Sequence, residues 1–369
     1  MRLGPVGLTP FVVVSDVGID SNVNYASQDP QRDFTARIRP GVDSSLRLGR
    51  GRLTGRTVLG FSYFHEAKRF RARDLRQEAG LALVSYRLTP RVGGMYESAR
   101  ERPTLEIDAY VRRTEQRVGV GLDLRLSPRL TVELDARERR REYEDEQFEG
   151  ANLRTELNQR TEQVDVALRV ALTPLTTFVV NVDAARDRFP SAPFRNTDST
   201  GVLPGFELKP FALISGTAFV GYRRVDALEP AVPDFSGVVG NMAVAYTLRG
   251  RTRFDLSARR GIEYSYDAQR PYYVVEGAAL TVTEALGRRW DVRATYGADS
   301  LNYRDRSDGP IAGARRGVDR ASARGIGVGH RFGSSARIGF DLTYFVRRSP
   351  VTTREYEGWR GGGSFTYGS

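Results

Sequence analysis

The sequence contains no cysteine, only two histidines and only two lysines, Lys68 and Lys209, so its 56 basic residues are almost all arginine. The absence of cysteine excludes disulfides, thiol nucleophiles and thiolate metal sites. There is no run of eighteen apolar residues either, which excludes a transmembrane helix. No window shows the 3.6-residue apolar period of an amphipathic helix. Residues 1–5 carry no apolar signal segment, so we expect a mature or truncated form from which a signal peptide has been removed.

Signatures of catalysis or of a bound group are also missing. His65 and His330 have no recognisable serine and acid partners, which argues against a hydrolase. The acidic run Glu142–Glu149 lacks the ligand spacing of a calcium loop and is more typical of a solvated loop. The arginines of 137–141 continue a strand alternation without interleaved aromatics, so nucleic acid is not an expected partner. We predict a protein that is not an enzyme and uses no cofactor and no metal.

What the sequence does contain is a period of two in its apolar residues. In 164–172, five apolar side chains at alternating positions form one face, while Asp165 and Arg169 lie on the other. Side chains of a β-strand alternate between its two faces, so this segment has one apolar and one polar side. Similar segments follow one another along the whole chain with brief turns between them. This pattern predicts a transmembrane β-barrel with lipid outside and water inside.

Turns and loops predict the number of strands. Short turns are indicated at 48–52, 88–90, 126–128, 172–174, 209–210, 248–251, 286–289 and 332–335, and three of them share a Leu-Ser/Thr-Pro motif. Longer, charged loops are indicated at 26–33, 65–71, 99–106, 142–159, 189–197, 227–234, 267–271, 305–319 and 349–354. Eight turns and nine loops imply an even barrel with both termini at the short-turn end.

We therefore predict an all-β fold in which 1–369 form a single outer-membrane domain. The expected architecture is an antiparallel up-and-down β-barrel of about 18 strands, with 16–20 acceptable, short periplasmic turns and longer extracellular loops. A pair of soluble β-sandwiches or a propeller is the alternative. Segments 254–266 and 336–347 disfavour it, because they exceed ten residues, the length that crosses a bilayer at a tilt.

A register with apolar residues toward lipid directs twenty charged side chains into the lumen. The predicted pore-lining residues are Arg37, Arg39, Asp43, Arg56, Arg117, Asp123, Arg125, Glu133, Asp135, Arg137, Asp165, Arg169, Asp183, Asp255, Asp291, Arg293, Arg337, Asp341, Arg347 and Arg360. Both signs are present, and the net charge of the chain is +11. A positive lumen would concentrate anions. Opposite charges on neighbouring strands would instead only stiffen the wall, and the sequence leaves both interpretations open.

Aromatic residues near the predicted strand ends suit the two interfacial girdles of a membrane barrel, where an amphipathic ring contacts both phases. They are Tyr63, Tyr246, Phe254, Tyr264, Trp290, Tyr344 and Trp359. Ordinary cross-strand packing is an equally good explanation for any one of these rings.

Several motifs resemble bacterial outer-membrane barrels of the family known as "putative β-barrel porin, type two". An Asp-x-Asn element occurs at 20–22, Pro-Gly pairs occur at 40–41 and 204–205, and the last strand ends in the aromatic segment 365–369. Such a terminal strand is similar to those read by the barrel-insertion machinery. The resemblance spans nearly the whole chain and implies a location in the bacterial outer membrane. It also implies a link with exopolysaccharide export, because many of these barrels are encoded beside that machinery.

Three functions remain as hypotheses. The first is export of an exopolysaccharide or capsular polysaccharide, with Tyr110 or Tyr303 as candidate sugar platforms. The second is diffusion of small, for example anionic, solutes, and the third is a structural or adhesion barrel closed by a folded loop. The longest loop, Glu142–Gln159, is the predicted constriction. The expected partners are outer-membrane lipids, the barrel-insertion machinery, periplasmic and inner-membrane polysaccharide-export proteins, and a polysaccharide or small-solute cargo.

Overall fold

Eighteen long β-strands dominate the computed structural model, which describes residues 2–3, 5–210, 213–308, 317–333 and 335–368. The strands are β1 (Val6–Asp20), β2 (Asp33–Leu48), β3 (Gly51–Phe64), β4 (Ala72–Leu83), β5 (Leu88–Glu101), β6 (Val111–Arg125), β7 (Leu130–Tyr143), β8 (Gln159–Ala171), β9 (Thr176–Arg188), β10 (Thr197–Leu208), β11 (Ile214–Ala227), β12 (Phe235–Leu248), β13 (Thr252–Tyr264), β14 (Tyr272–Leu286), β15 (Trp290–Arg304), β16 (Val318–Phe332), β17 (Ala336–Arg348) and β18 (Tyr356–Tyr367). They contain 12 to 16 residues each, enough to cross a bilayer at a tilt. Within the described ranges, no helix is long and apolar enough to span a membrane.

The sheet closes on itself. Each strand pairs antiparallel with the next along the chain, and β1 pairs with β18 from Val12↔Tyr367 to Asp20↔Arg360. A β-bulge interrupts this last pairing beside Asp16, which has a positive φ of 56°. Closure satisfies backbone hydrogen bonds that lipid cannot satisfy. The predicted up-and-down barrel of 18 strands is confirmed.

Short turns and long loops alternate along the chain, with all the short turns at one end of the barrel. The described connections at the short-turn end include 49–50, 84–87, 126–129, 172–175, 249–251 and 287–289. Several of them contain glycines with a positive φ, namely Gly49, Gly250, Gly287 and Gly333. Glycine adopts this left-handed conformation without steric cost, which allows the strands to reverse over few residues. Residue 334 of the last predicted turn and 309–316 of a predicted long loop lie outside the described residues.

The Leu-Ser/Thr-Pro motif forms a turn at two of its three predicted positions. The Ser127 hydroxyl accepts a hydrogen bond from the N–H of Leu130, and the Thr173 hydroxyl accepts one from Leu175. Such side-chain bonds replace backbone bonds that a tight turn cannot make. The third prediction, 88–90, was wrong because these residues begin β5 and the turn lies at 84–87. There the Ser85 hydroxyl is the acceptor.

Short strands, one helix and 3₁₀ turns lie at the ends of the barrel. In the loop after β7, the two-residue strands Gln147–Phe148 and Ala151–Asn152 pair with each other and lead into helix α1 (Leu153–Leu157). Three 3₁₀ turns lie in other long loops, at Lys68–Phe70, Pro193–Arg195 and Thr352–Arg354. At the short-turn end, the backbone of Arg2–Leu3 pairs with the start of β1. The additional structure is therefore concentrated in the long loops.

Side chains along each strand alternate between lipid and lumen. In β8, Val164 and Val166 are exposed on the outside at 54% and 41%, whereas Asp165 is 8% exposed on the inside. The most buried apolar side chains form four clusters in and next to the long loops. The apolar surface of the wall thus faces lipid. Buried apolar side chains that pack as in a protein core lie at the end of the long loops.

Six of the seven predicted girdle residues face outward. Trp290 lies at the short-turn end, and Trp359 packs on Tyr344 near the long loops with ring centroids 4.7 Å apart. Tyr264 is the exception, and the prediction was wrong for it. Its hydroxyl donates a 2.9 Å hydrogen bond to Asp187 inside the barrel, because the upper end of β13 bends into the lumen.

Candidate functional site

The strand registers place the twenty predicted pore-lining residues on the inner side of the wall. Pairings such as Asp43↔Arg56 and Asp165↔Asp183 bring them side by side across neighbouring strands. Sixteen take part in ion pairs, namely Arg37, Asp43, Arg56, Arg117, Asp123, Glu133, Asp135, Arg137, Asp165, Arg169, Asp183, Asp255, Asp291, Arg337, Arg347 and Arg360. Their role in transport stays a prediction.

The remaining four have different surroundings. Asp341 accepts a hydrogen bond from the Ser364 hydroxyl. Arg39, Arg125 and Arg293 have no carboxylate within 4.0 Å among the residues that the structure describes. The wall therefore combines neutralised pairs with a few uncompensated guanidinium groups.

Several inward charges were missed by the sequence prediction. Glu115 is 1% exposed and lies between the guanidinium groups of Arg113, Arg117 and Arg141. Arg91 bridges Asp123 and Asp135 at 2.9 and 2.6 Å. Glu115 precedes Arg117 by two residues, so the alternation that identified Arg117 also applies to it.

The loop after β5 crosses the lumen. This segment, 102–110, is called the plug loop below. The carboxylate of its Glu106 accepts a 2.6 Å hydrogen bond from the Ser265 hydroxyl and a 3.2 Å bond from the N–H of Tyr266. Ser265 directly follows β13, eight strands around an 18-strand ring from β5. The two strands are almost opposite, and the hairpin tip that follows β13 bends inward, so the plug loop meets Ser265 within the lumen.

Arg347 of β17 and Arg354 of the loop after β17 hold the plug loop from one side. Arg347 is 1% exposed and donates to the Asp108 carboxylate at 2.6 Å and to the Leu105 carbonyl at 2.9 Å. Its other terminal nitrogen donates to Asp319 at 2.5 Å. Arg354 donates to the Glu106 carbonyl at 3.2 Å. These charge-assisted bonds leave the two guanidinium groups almost fully buried.

Arg195 fastens the loop that receives Glu106. It is 1% exposed, and it donates to the carbonyls of Ser265 and Pro271 at 2.5 and 2.9 Å and to the Glu156 carboxylate at 2.9 Å. A buried arginine thus anchors each side of the contact between Glu106 and Ser265: Arg354 binds the Glu106 carbonyl, and Arg195 binds the Ser265 carbonyl. The carboxylates of the plug loop are thus hydrogen-bonded at defined positions rather than carried by a loose loop.

The predicted constriction at Glu142–Gln159 contributes to this closure without forming its centre. Leu153 and Leu157 pack in one buried cluster with Ile107 of the plug loop and with Tyr266. Glu156 pairs with Arg195 at 2.9 Å. The prediction identified a loop that packs on the plug, and it missed the shorter loop that spans the lumen.

The two tyrosines predicted as sugar platforms belong to the closed end. Tyr303 is 9% exposed and packs against Tyr273 with centroids 5.3 Å apart. Tyr110 lies against Phe64 and Phe70. Tyr303 is buried and Tyr110 is half-buried, and their role as sugar platforms stays a prediction.

Acidification should stabilise the closed conformation. Burial raises the pKa of Glu106 despite the opposing charge of Arg354, and burial likewise raises the pKa of Asp108. The closed state therefore binds protons more readily than an open state with hydrated carboxylates. At low pH, protonation lowers the free energy of the closed state relative to the open state, and this stabilisation is lost as the pH rises through the raised pKa values. We expect the current across a planar bilayer to fall between pH 7 and about pH 4.

The Glu106→Gln variant provides the control, because its side chain is neutral at every pH and still accepts the Ser265 hydrogen bond. We expect a smaller change of current with pH in this variant. A wild-type current that increases on acidification would contradict the assignment.

Comparison with known proteins supports the fold. A family model described as "Putative beta-barrel porin 2" matches residues 11–362, while no curated protein sequence matches the chain significantly. Copper transporter OprC superposes with a TM-score of 0.51 at 10% identity, over 95% of this chain and 64% of OprC, so the chain spans less than two thirds of that protein. OccK1 (OpdK) of Pseudomonas aeruginosa gives a TM-score of 0.50 at 11% identity, over 98% of this chain and 97% of that one.

Proposed function

Because this chain belongs to the "Putative beta-barrel porin 2" family, we propose that it is a gated channel that exports a polysaccharide across the outer membrane. The protein is a porin-like barrel of the bacterial outer membrane, with its apolar outer surface in lipid and its short turns toward the periplasm. In this proposal the barrel itself performs no chemistry, and energy and direction come from periplasmic and inner-membrane export proteins.

The proposal of export rests on the contrast between a polar lumen and an outer end that a loop closes. A barrel of 18 strands encloses enough space for an aqueous path. The plug loop crosses that space and is held by Arg347 and Arg354. A pore for small nutrients works while it stands open. A polymer channel wide enough to leak must instead close whenever no polymer is in transit, and this closure fits that need.

The lining suits a hydroxyl-rich cargo. Inward carboxylates and guanidinium groups alternate around the wall, as in the linked set Arg91, Asp123 and Asp135. Sugar hydroxyls both donate and accept hydrogen bonds, so they can exchange partners with both kinds of group as a chain moves. Most of the charges are neutralised in pairs, which avoids tight binding of any one segment.

The periplasmic mouth favours an acidic polymer. The short turns carry exposed basic residues and contain no aspartate or glutamate. These residues are Arg50, Arg87, Arg129, Lys209, Arg249, Arg251, Arg288 and Arg289. A ring of positive charge at the entrance raises the local concentration of polyanions. It also offers a docking surface for an acidic periplasmic export protein.

Gene deletion tests the proposal. Removing the gene from its own strain should abolish most of the surface polysaccharide, and the wild-type gene should restore it. Staining of the cell surface and sugar analysis of the extracted polymer provide the measurement. Unchanged surface polymer in the deletion strain would refute export.

Diffusion of small anions is the second candidate. Arg39, Arg125 and Arg293 favour it, since they face the lumen without a paired carboxylate among the described residues. Normal surface polymer in the deletion strain, combined with an anion-selective current in planar bilayers, would support this function instead.

A further inference from the structure

The hydrogen-bonded ladder between β12 and β13 is incomplete. These strands pair over nine positions, from Leu248↔Thr252 to Gly240↔Arg260, and within the described residues no pairing joins 235–239 to 261–264. Each strand remains paired to its other neighbour, through Val225↔Phe235 and Tyr264↔Tyr272. The wall is therefore split in its extracellular half.

Beyond the split, the tip of the β13–β14 hairpin lies behind β12. Tyr264 has the parity of the lipid-facing Leu256, yet its ring packs on Phe189 with centroids 4.7 Å apart. Val274, only 2% exposed, lies in one cluster with Phe235 and Val239 of β12. The outer face of the hairpin tip thus packs against the inner face of β12. This arrangement is called the overlap below.

A cavity of about 250 Å³ lies at the lower end of the overlap. Its apolar lining is formed by Leu203, Val225, Val239 and Ile262. Its polar lining includes Arg223, which has lumen-facing parity, and Arg260, which has lipid-facing parity. Asp187 also lines the cavity, and its carboxylate accepts a hydrogen bond from the Tyr264 hydroxyl. The cavity therefore brings together residues from both faces of the wall at the point where the ladder stops.

The two arginines have spare hydrogen-bonding capacity. Arg223 pairs with Asp183 at 2.7 Å and Arg260 pairs with Glu276 at 3.0 Å, each through a terminal nitrogen. The Nε atoms of both are buried and have no hydrogen-bond partner. A carboxylate between them would find two guanidinium groups, which bind this anion with high geometric specificity.

We propose that the overlap is a lateral gate between the lumen and the outer leaflet, used by an amphipathic carboxylate. The apolar part of the ligand replaces the contacts of Val239 and Ile262, and its carboxylate lies near Arg223 and Arg260. Sliding the overlap apart separates apolar side chains and breaks side-chain hydrogen bonds such as those of Tyr264 and Tyr272, but it breaks no β-ladder hydrogen bond. Opening any fully paired seam would break a whole row of them. The ligand path crosses the wall, whereas the proposed polymer path runs along the barrel axis.

Binding of dansylaminoundecanoic acid to the full-length barrel in lipid nanodiscs tests the site. We expect a saturable fluorescence increase that empty nanodiscs do not show. Arg260→Gln should weaken the affinity by about tenfold, the usual effect of losing one charged partner. Arg140→Gln is the matched control, because Arg140 also has outward parity near the long loops but lies in a continuous ladder. Equal affinities of these two variants, or no saturable signal, would overturn the proposal.

Reversible cross-linking tests the movement. The chain has no native cysteine, so Val239→Cys with Ile262→Cys can be joined by a bis-methanethiosulfonate reagent. We expect the probe to associate several-fold more slowly until reductant is added. The control pair Val244→Cys with Leu256→Cys, joined across the intact part of the same ladder, should associate as the wild type does. Association unaffected by the Val239–Ile262 link would refute a gate, while leaving axial export untouched.

Discussion

A variant in which residues 103–109 are replaced by a short Gly-Ser linker should conduct about ten times more current than the wild type in planar bilayers. The replaced segment contains Glu106, which reaches Ser265 across the lumen, and Asp108, which binds Arg347. Without them the lumen of an 18-strand barrel has no closure at its centre, and ions follow the polar wall.

The same linker placed at turn 126–129 is the control. That turn lies at the short-turn end and has no contact with the plug loop among the hydrogen bonds of the described residues, so we expect no change of conductance. The plug assignment would fail if removal of 103–109 left the current at the wild-type level in a barrel that still resists heat and detergent.

The variant Arg347→Met should release the plug without shortening any loop. The substitution removes one of two guanidinium partners from each carboxylate, since Asp108 keeps Arg102 and Asp319 keeps Arg354. Loss of one member of a buried ion pair costs about 3–5 kcal/mol. If the cost falls on the closed state, the ratio of open to closed barrels rises by about a hundredfold or more. Long openings should then replace brief ones in single-channel recordings.

Two further variants separate gating from general loss of stability. Arg337→Met breaks another buried ion pair on the same strand, with Asp291, but this pair lies in the wall. We expect Arg337→Met to lower the unfolding temperature without lengthening the openings. Adding Asp319→Asn to Arg347→Met restores the balance of charge, because Asp108 keeps Arg102 and Glu106 keeps Arg354, and the plug should close again. Continued opening of the double variant would show that charge is not what holds the plug.

The correct parts of the sequence prediction share one physical origin. Lipid on one side and water on the other impose a period of two on every strand, so the parity that places Asp165 inside and Val164 outside is visible residue by residue. Turn chemistry adds the positions where the chain reverses, as at Ser127 and Thr173. Both signals are local, and they were sufficient for the strand count and the inward register.

The errors arose where long-range contacts override that local pattern. At 88–90 the motif was read as a turn, although Ser85 provides the hydroxyl that closes the real one. Tyr264 has the parity of a girdle residue, yet the hairpin tip that carries it turns inward. The plug loop shows no periodicity, and its length is unremarkable beside Glu142–Gln159.

The sequence by itself determined a closed membrane barrel with charged side chains toward its interior. Each strand has one face in lipid and one in water, so each strand shows the alternation on its own. Only the tertiary structure decided that a loop lies across the lumen and that the wall is split among the described residues. Closure depends on Glu106 meeting Ser265 and on Arg347 meeting Asp108, partners more than 150 and 200 residues apart. Which loops meet depends on where their strands lie around the closed ring, and no local sequence pattern encodes that position.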